Sequence, residues 1–383
     1  MIKPTLPYRL QLCLRFMTLL SKLTTTEKTL SFLDSSQLGS VTKAIEQTVH
    51  AIIELDPIAV YVTTVRSLEV SSTTTSSPSS TSNEAQRQFL EILTCICDGL
   101  DIVSKLFGLI STGVLETKMI YEDLILTCLQ MIKNQLDNTI YPLIEVNDCT
   151  DEITGAIGDA QLLLSFANSN SKAKHIMSRF LPLISRIIRR THCLVQKDDT
   201  DEHAVIVLAY ISMGSFFHDY NNKVTTITTT SEPIYTNITY YMSALNTYEH
   251  LKLVSLDMLR NVFGHFPRHR RWILEEILTS IGSLTTVDYR DNKRYSGNDK
   301  IHILSALFMQ LIQCCDYSLD GSIQVQRTWL KKWELKVQKV EKDIVKRKEL
   351  DQALTNRAAG VWKKGIESAV QNTTYFLEFL MSK

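Results

Sequence analysis

The residues best equipped for chemistry in this chain are basic side chains gathered around a turn, in the string RNVFGHFPRHRR at 260–271. Arg260, His265, Arg268, His269, Arg270 and Arg271 crowd the end of one helical pattern and the start of the next. A guanidinium stays charged and presents a planar fork of donors, so such a group suits phosphate oxygens or carboxylates. Positive charge at a helix start opposes the macrodipole, which calls for an internal acid or an anionic partner. Glu275, four residues beyond Arg271, could supply the first; a phosphate or acidic surface would supply the second. A second cluster holds Arg179, Arg186, Arg189 and Arg190, with Lys172 and Lys174 upstream. The spacing of Arg186, Arg189 and Arg190 puts them on one helix face, away from Ile184, Ile187 and Ile188. A solvated face and a phosphate-contacting face both fit. The third group is lysine-rich: Lys331, Lys332, Lys336, Lys339, Lys342, Lys346 and Lys348 surround Trp329, Trp333, Val337, Val340 and Ile344 at helical steps. That pattern fits a helix packing two tryptophans onto its neighbours, or one gripping an acidic partner.

Acid–base or nucleophilic catalysis does not assemble from these residues. There is no GxSxG, no glycine-rich phosphate loop and no HExxH. The pair Glu275–Glu276 is adjacent on a helix, so its side chains diverge by about 100° and cannot share a substrate atom. The expectation is a protein that is not an enzyme and uses no cofactor. The cysteines Cys95, Cys97, Cys128, Cys314 and Cys315 sit among apolar residues, as in LTCIC and LIQCC, and read as buried, reduced thiols. CxC at 95–97 lacks a second Cys or His pair at zinc spacing, so no metal site is expected. No run of about 18 apolar residues marks a membrane span. The segment LQLCLRFMTLL at 10–20 carries Arg15 and reads as an amphipathic helix, not a leader.

These groups must be positioned by helices. Hydrophobic residues make up 44% and charged residues 21% of 383, enough for a sizeable core. Lys+Arg and Asp+Glu both number 41, which argues against a chain that coats nucleic acid along its whole length but allows a local basic face. Only 13 Gly and 8 Pro leave few helix breakers, which disfavours all-β and dinucleotide-binding folds. Apolar periodicity predicts helices over 8–23, over 41–68 with a break at Asp56-Pro57, over 84–112, over 119–142 ending at Pro142, and over 157–168. Further helices are expected over 173–195 with a kink or break at Pro182, and over 203–218, 246–264, 269–283 and 299–316. The polar stretches 71–83, 222–233 and 285–298 read as loops. Helices 84–112 and 119–142 look like one antiparallel hairpin. Several helices are apolar on two faces, as a helix sandwiched in a stack must be. The predicted fold is therefore all-α, an α-solenoid of HEAT-type helix hairpins of roughly 40 residues each. Its expected plan is a helical start at 1–70, a disordered loop at 71–83, a repeat region at 84–322, a long charged helix at 323–352 and a terminal helix at 353–383.

Four blocks add a resemblance. EDLILTCLQMIKNQLDNTIYP at 122–142, VFGHFPRHRRWILEEILTSIGSL at 262–284, IHILSALFMQLIQCC at 301–315 and ESAVQNTTYFLEFLMSK at 367–383 resemble, in order, blocks of the cohesin-loading adherins, the Nipped-B-like family. His269, Arg270, Ile273, Leu274, Glu275 and Glu276 match the family's HR..ILEE block, whereas Pro267 stands where the family has a charged or polar residue. The resemblance implies a HEAT-repeat protein that loads the cohesin ring onto chromatin in the nucleus. Its implied partners are DNA, bound without sequence specificity, and the ring's ATPase heads and kleisin. The small loader partner subunit would be reached only through a region not evident here, so the chain is expected to be a fragment of such a loader. On this reading Arg186, Arg189, Arg190, Arg268, Arg270 and Arg271 are the candidate contacts to DNA or an acidic partner, and they would be of the backbone type because no base-reading motif is present. The alternative is a HEAT or armadillo adaptor in another pathway with no DNA contact. DNA binding that falls steeply with salt separates the two.

Overall fold

The computed structural model describes residues 6–26, 35–72, 78–113, 122–145, 159, 163, 166, 170–196, 200–218, 245–283, 303–315, 331–336 and 344–382. Among them every regular element is helical. The helices are α1 (Leu6–Thr26), α2 (Ser35–Ile53), α3 (Pro57–Ser72), α4 (Pro78–Ser111), α5 (Glu122–Gln135), α6 (Tyr141–Glu145), α7 (Ser171–Met177), α8 (Phe180–Val195), α9 (Glu202–Phe217), α10 (Leu245–His265), α11 (Arg270–Ser283), α12 (Ile303–Gln313) and α13 (Ile344–Ser382). A short helical turn also covers 331–336. The fold is all-α, of the helical-solenoid class. It divides into two compact units, Met1–Cys193 with Asp201–Ser255, and Leu194–Thr200 with Leu256–Lys383.

In the first unit α1 and α3 pack on α4, α2 packs on α5, and α5 packs on α9. The stripe expected on α4 is the buried one: Phe89, Ile92, Leu93, Ile96, Leu100, Val103, Leu106 and Phe107 are all enclosed. Cys95, Cys97, Ile102 and Ile110 are buried as well, so α4 is apolar on two faces and covered on both. Each such side chain contributes about 1.5–3 kcal/mol over its exposed state. Tyr61, Phe89 and Phe166 close one end of this core, with ring centroids 5.0–5.4 Å apart. The expected α4–α5 hairpin gives way to a different pairing, because α5 makes its main contacts with α2 and α9. Gln135 of α5 helps to fix this: its Nε2 donates to the Leu55 carbonyl (3.1 Å) at the α2–α3 corner, and its Oε1 accepts from Thr139 (3.1 Å). That corner is the break expected at Asp56-Pro57, with Asp56 Oδ1 capping α3 by accepting from the Ala59 amide (3.0 Å). Gly113, at φ 74°, supplies the left-handed turn after α4.

Several expectations are corrected by local backbone chemistry. The helix at 122–142 does not stop at Pro142. A π-helical turn at Leu136–Ile140 precedes α6, and the Tyr141 amide donates five residues back to Leu136. The wider turn accommodates the proline, whose ring and missing N–H would disturb an α-helical ladder. The break at Pro182 falls ahead of the proline, at Ser178-Arg179, and Pro182 sits in the first turn of α8. There its absent donor costs nothing, since first-turn amides have no intrahelical partner. The polar stretch 71–83 is not one continuous loop. Residues 71–72 end α3 and 78–83 begin α4, while 73–77 lie outside the described residues. Ser and Thr are only moderately poor helix formers, and extending an existing helix requires no new nucleus. The expected division at 352/353 falls inside α13, which runs unbroken from Ile344 to Ser382. The loops expected at 222–233 and 285–298 lie outside the described residues, as does most of 157–168, of which Leu163 and Phe166 are helical and buried.

In the second unit α11 and α12 both pack on α13. Phe308 meets Phe376 at 4.4 Å, and Asn372 Nδ2 donates to Cys315 Sγ (3.5 Å). Burial pushes the thiols of Cys95 and Cys314 up to about 12 and that of Cys97 to about 11; it raises Cys128 as well. They are neutral core groups, as the sequence suggested. Among the described residues no single helix is long and apolar enough to cross a membrane. One bent pair, Ser36–Ile53 with Pro57–Val65, passes that test at a bend of 48°. Its apolar residues Ile45, Val49, Ile52, Ile58 and Val62 are buried in the core.

Candidate functional site

The turn that carries HFPRHRR is built by Pro267. Phe266 before it leaves the helical region (φ −115°, ψ 79°), which ends α10, and Pro267–His269 form one 3₁₀ turn before α11. The turn separates the basic residues into three fates. Arg268 is exposed on the 3₁₀ turn. His269 is buried between Phe266 and Trp272, with ring centroids 6.1 and 6.3 Å away. Arg270 points inward and is 3% exposed. Its Nε donates to the Phe263 carbonyl (2.7 Å), its Nη2 to the Gly264 carbonyl (3.1 Å) and its Nη1 to Ser368 Oγ (2.6 Å) on α13. Those carbonyls belong to the last turn of α10 and have no intrahelical partner, so Arg270 caps α10 and ties it to α13. Burial pushes its guanidinium below the usual arginine range. This corrects the expectation that Arg270 meets an outside anion: a planar cation is used here to satisfy buried backbone.

Arg271 faces out, but an acid holds it. Its Nε donates to Glu275 Oε1 (3.1 Å), and its guanidinium lies 5.0 Å from the centre of the Tyr375 ring. Tyr375 Oη donates to the same Glu275 oxygen (2.8 Å). The two donors, Tyr375 first and then Arg271, hold the Glu275 carboxyl below its ordinary range. Arg271 thus takes the internal pairing that its spacing to Glu275 allowed. A groove of about 480 Å³ opens here, lined by Arg270, Arg271, Ser368, Asn372, Tyr375 and Glu378. Its mixture of cations, an acid and amides gives no single-sign field. The sequence does not link Ser368, Asn372 and Tyr375 to the turn, because they lie about a hundred residues from it and nothing in their spacing marks the contact.

The cluster on α8 divides in the same way. Phe180, Leu181, Leu183, Ile184, Ile187 and Ile188 are buried, while Arg186 and Arg189 are exposed. Arg190 turns toward α4, where its Nη1 donates to the Ser104 carbonyl and to Ser104 Oγ (3.1 Å). Gly108 makes room for it, since a Cβ there would stand 3.0 Å from Nη1. Burial and the like charge of Arg186 both lower its pKa. Arg190 is therefore a tie between helices and not the outward contact expected of it. Arg189 Nη2 lies 2.7 Å from His250 Nε2, an arrangement that needs this ring nitrogen unprotonated to accept. Among the described residues no carboxylate pairs with Arg186 or Arg189. Lys331, Lys332 and Lys336 are exposed on the turn at 331–336, with Trp333 half-buried. Among the described residues no group of three or more His, Cys, Asp or Glu could hold a metal ion.

Stacked helices with buried apolar interiors define the class: an all-α helical solenoid. One comparison with known proteins gives a partial match. Over 71 residues the chain is 38% identical to Nipped-B-like protein A of Danio rerio, a match covering 17% of this chain and 3% of that protein. No family model matches the chain, and no solved structure matches it.

Proposed function

We propose that this chain is a HEAT-type segment of a cohesin loader, a scaffold without catalytic activity of its own that works in the nucleus on chromatin. On this reading it meets DNA through exposed cations and the cohesin ring through its ATPase heads and kleisin, and so promotes loading and sister chromatid cohesion. The observation that carries the reading is the 38% identity over 71 residues to a Nipped-B-like protein. The all-α fold agrees with it, and so does the exposure of Arg186, Arg189 and Arg268. Contacts of this kind act on phosphates and add up along a surface, each one modest.

The test is binding of the whole chain to a duplex of arbitrary sequence, measured against salt concentration. Binding that weakens steeply with salt is expected. The double variant Arg186→Glu/Arg189→Glu should reduce the slope of log affinity against log salt by about 2, at about 0.9 per lost phosphate contact. No binding at low salt, or an unchanged slope, would remove the DNA part of the reading. The adaptor alternative then stands, and it has support of its own: Arg190 and Arg270 are turned inward and Arg271 is paired with Glu275. Retention of purified cohesin head and kleisin subunits on the immobilised chain tests the loader part separately.

A further inference from the structure

Among the described residues, helix α13 is docked by one face only. Ser368, Asn372, Tyr375 and Phe376 meet Arg270, Cys315, Glu275 and Phe308. At 100° per residue these four centre about 140° away from a second set of side chains on the same helix. That set is Trp362, Ile366, Val370, Leu377, Leu380 and Met381, all large, apolar and between 41% and 87% exposed. Thr373 falls on the same stripe. Its hydroxyl donates back to the Ala369 carbonyl (2.8 Å), so its methyl group is what it offers outward. A contiguous apolar face over some five turns is more than a scattering of surface residues.

The order of the stripe says what covers it. Leu380 lies at the edge of the stripe; the other positions, 362, 366, 370, 373, 377 and 381, are separated by 4, 4, 3, 4 and 4 residues, a spacing that reads the same from either end. The 3–4 steps are those of a helix–helix seam. A palindromic seam is self-complementary about a two-fold axis perpendicular to the helix, which is the isologous arrangement of a symmetric dimer. We propose that α13 pairs with α13 of a second copy of this chain, antiparallel. Trp362 then faces Met381 of the other copy, Ile366 faces Leu377 and Val370 faces Thr373.

Charge selects the same orientation. Lys363 and Glu378 lie along one edge of the stripe. The antiparallel pairing brings Lys363 of one copy to within about two residues of Glu378 of the other, twice by symmetry. A parallel pairing would put the two Lys363–Glu378 edges on opposite sides of the seam, where neither charge meets its complement. Lys363 makes a surface pair with Glu367 at 3.9 Å, both side chains more than half exposed, which competes weakly. A seam about 30 Å long and one helix wide is at the small end of specific interfaces. The dimer should therefore form and dissociate in the micromolar range.

Analytical ultracentrifugation of the full chain between about 1 and 100 μM tests this. A reversible monomer–dimer equilibrium is expected. Val370→Glu should leave far-UV circular dichroism unchanged, since the side chain is exposed, and should abolish the dimer. Lys363→Glu should weaken dimerisation at least several-fold, and adding Glu378→Lys should restore it. For orientation, Ile366→Cys and Leu377→Cys chains are mixed under oxidising conditions. A 366–377 disulfide should form in the mixture, because position 366 lies about 16 Å along the axis from its own copy but opposite 377. A chain that stays monomeric at 100 μM would overturn the proposal. So would a dimer that survives Val370→Glu, or a 366–366 disulfide formed by Ile366→Cys alone.

Discussion

Arg270 offers the sharpest test of how this chain uses its arginines. Its guanidinium donates to Phe263 O, Gly264 O and Ser368 Oγ, and lies 5.4 Å from the centre of the Phe263 ring. Hydrogen bonds from a charged donor contribute about 1.5 kcal/mol each in net terms, and truncation leaves two helix-terminal carbonyls without a partner. Arg270→Ala should therefore destabilise its unit by about 3–5 kcal/mol. Arg270→Lys keeps the charge but cannot reproduce the fork, so about 1–3 kcal/mol should still be lost. Urea unfolding gives the size of the effect. Hydrogen exchange gives its location: peptides covering 258–268 and 364–376 should lose protection together, since one side chain ties both. Were Arg270 an outward phosphate contact, the outcome would invert. Unchanged exchange and urea midpoint in Arg270→Ala, with weakened DNA binding, would refute the capping argument.

Three further predictions rest on other contacts. Glu275 is held below its ordinary range by Tyr375 and Arg271, so the stabilisation it brings is present at neutral pH. It should be lost as pH falls from the ordinary carboxylate range through the depressed folded value. With the side chain 44% exposed the effect stays below about 1 kcal/mol, and the melting-temperature difference between wild type and Glu275→Gln should close by about pH 3. The thiols of Cys95, Cys97 and Cys314, pushed up to about 12, 11 and 12, should resist alkylation in the native protein at pH 8. Mass spectrometry should find the partly exposed Cys13 and Cys193 labelled first. Gln135→Ala should cost about 1–2 kcal/mol in urea unfolding, because the Leu55 carbonyl and Thr139 hydroxyl each lose a partner.

The amino-acid order alone determined most of the described helices and their apolar faces, though not the ends of α3 and α4 within 71–83. The stripe from Phe89 to Phe107 and the helix–turn–helix around Pro267 were readable because helical periodicity and proline sterics are local. Prolines marked perturbations, but what happened at Pro142 depended on a π turn that the linear pattern does not specify. The partners of each helix were not readable either. That α5 meets α2 and α9 follows from which apolar faces fit together across the chain, and many pairings bury similar area. The division among the arginines was decided by tertiary structure alone. Arg189 and Arg190 are adjacent, as are Arg270 and Arg271, and each pair is chemically uniform in sequence. A neighbouring helix places a hydroxyl or a free carbonyl within reach of one member, and a planar cation goes where buried acceptors lack a donor.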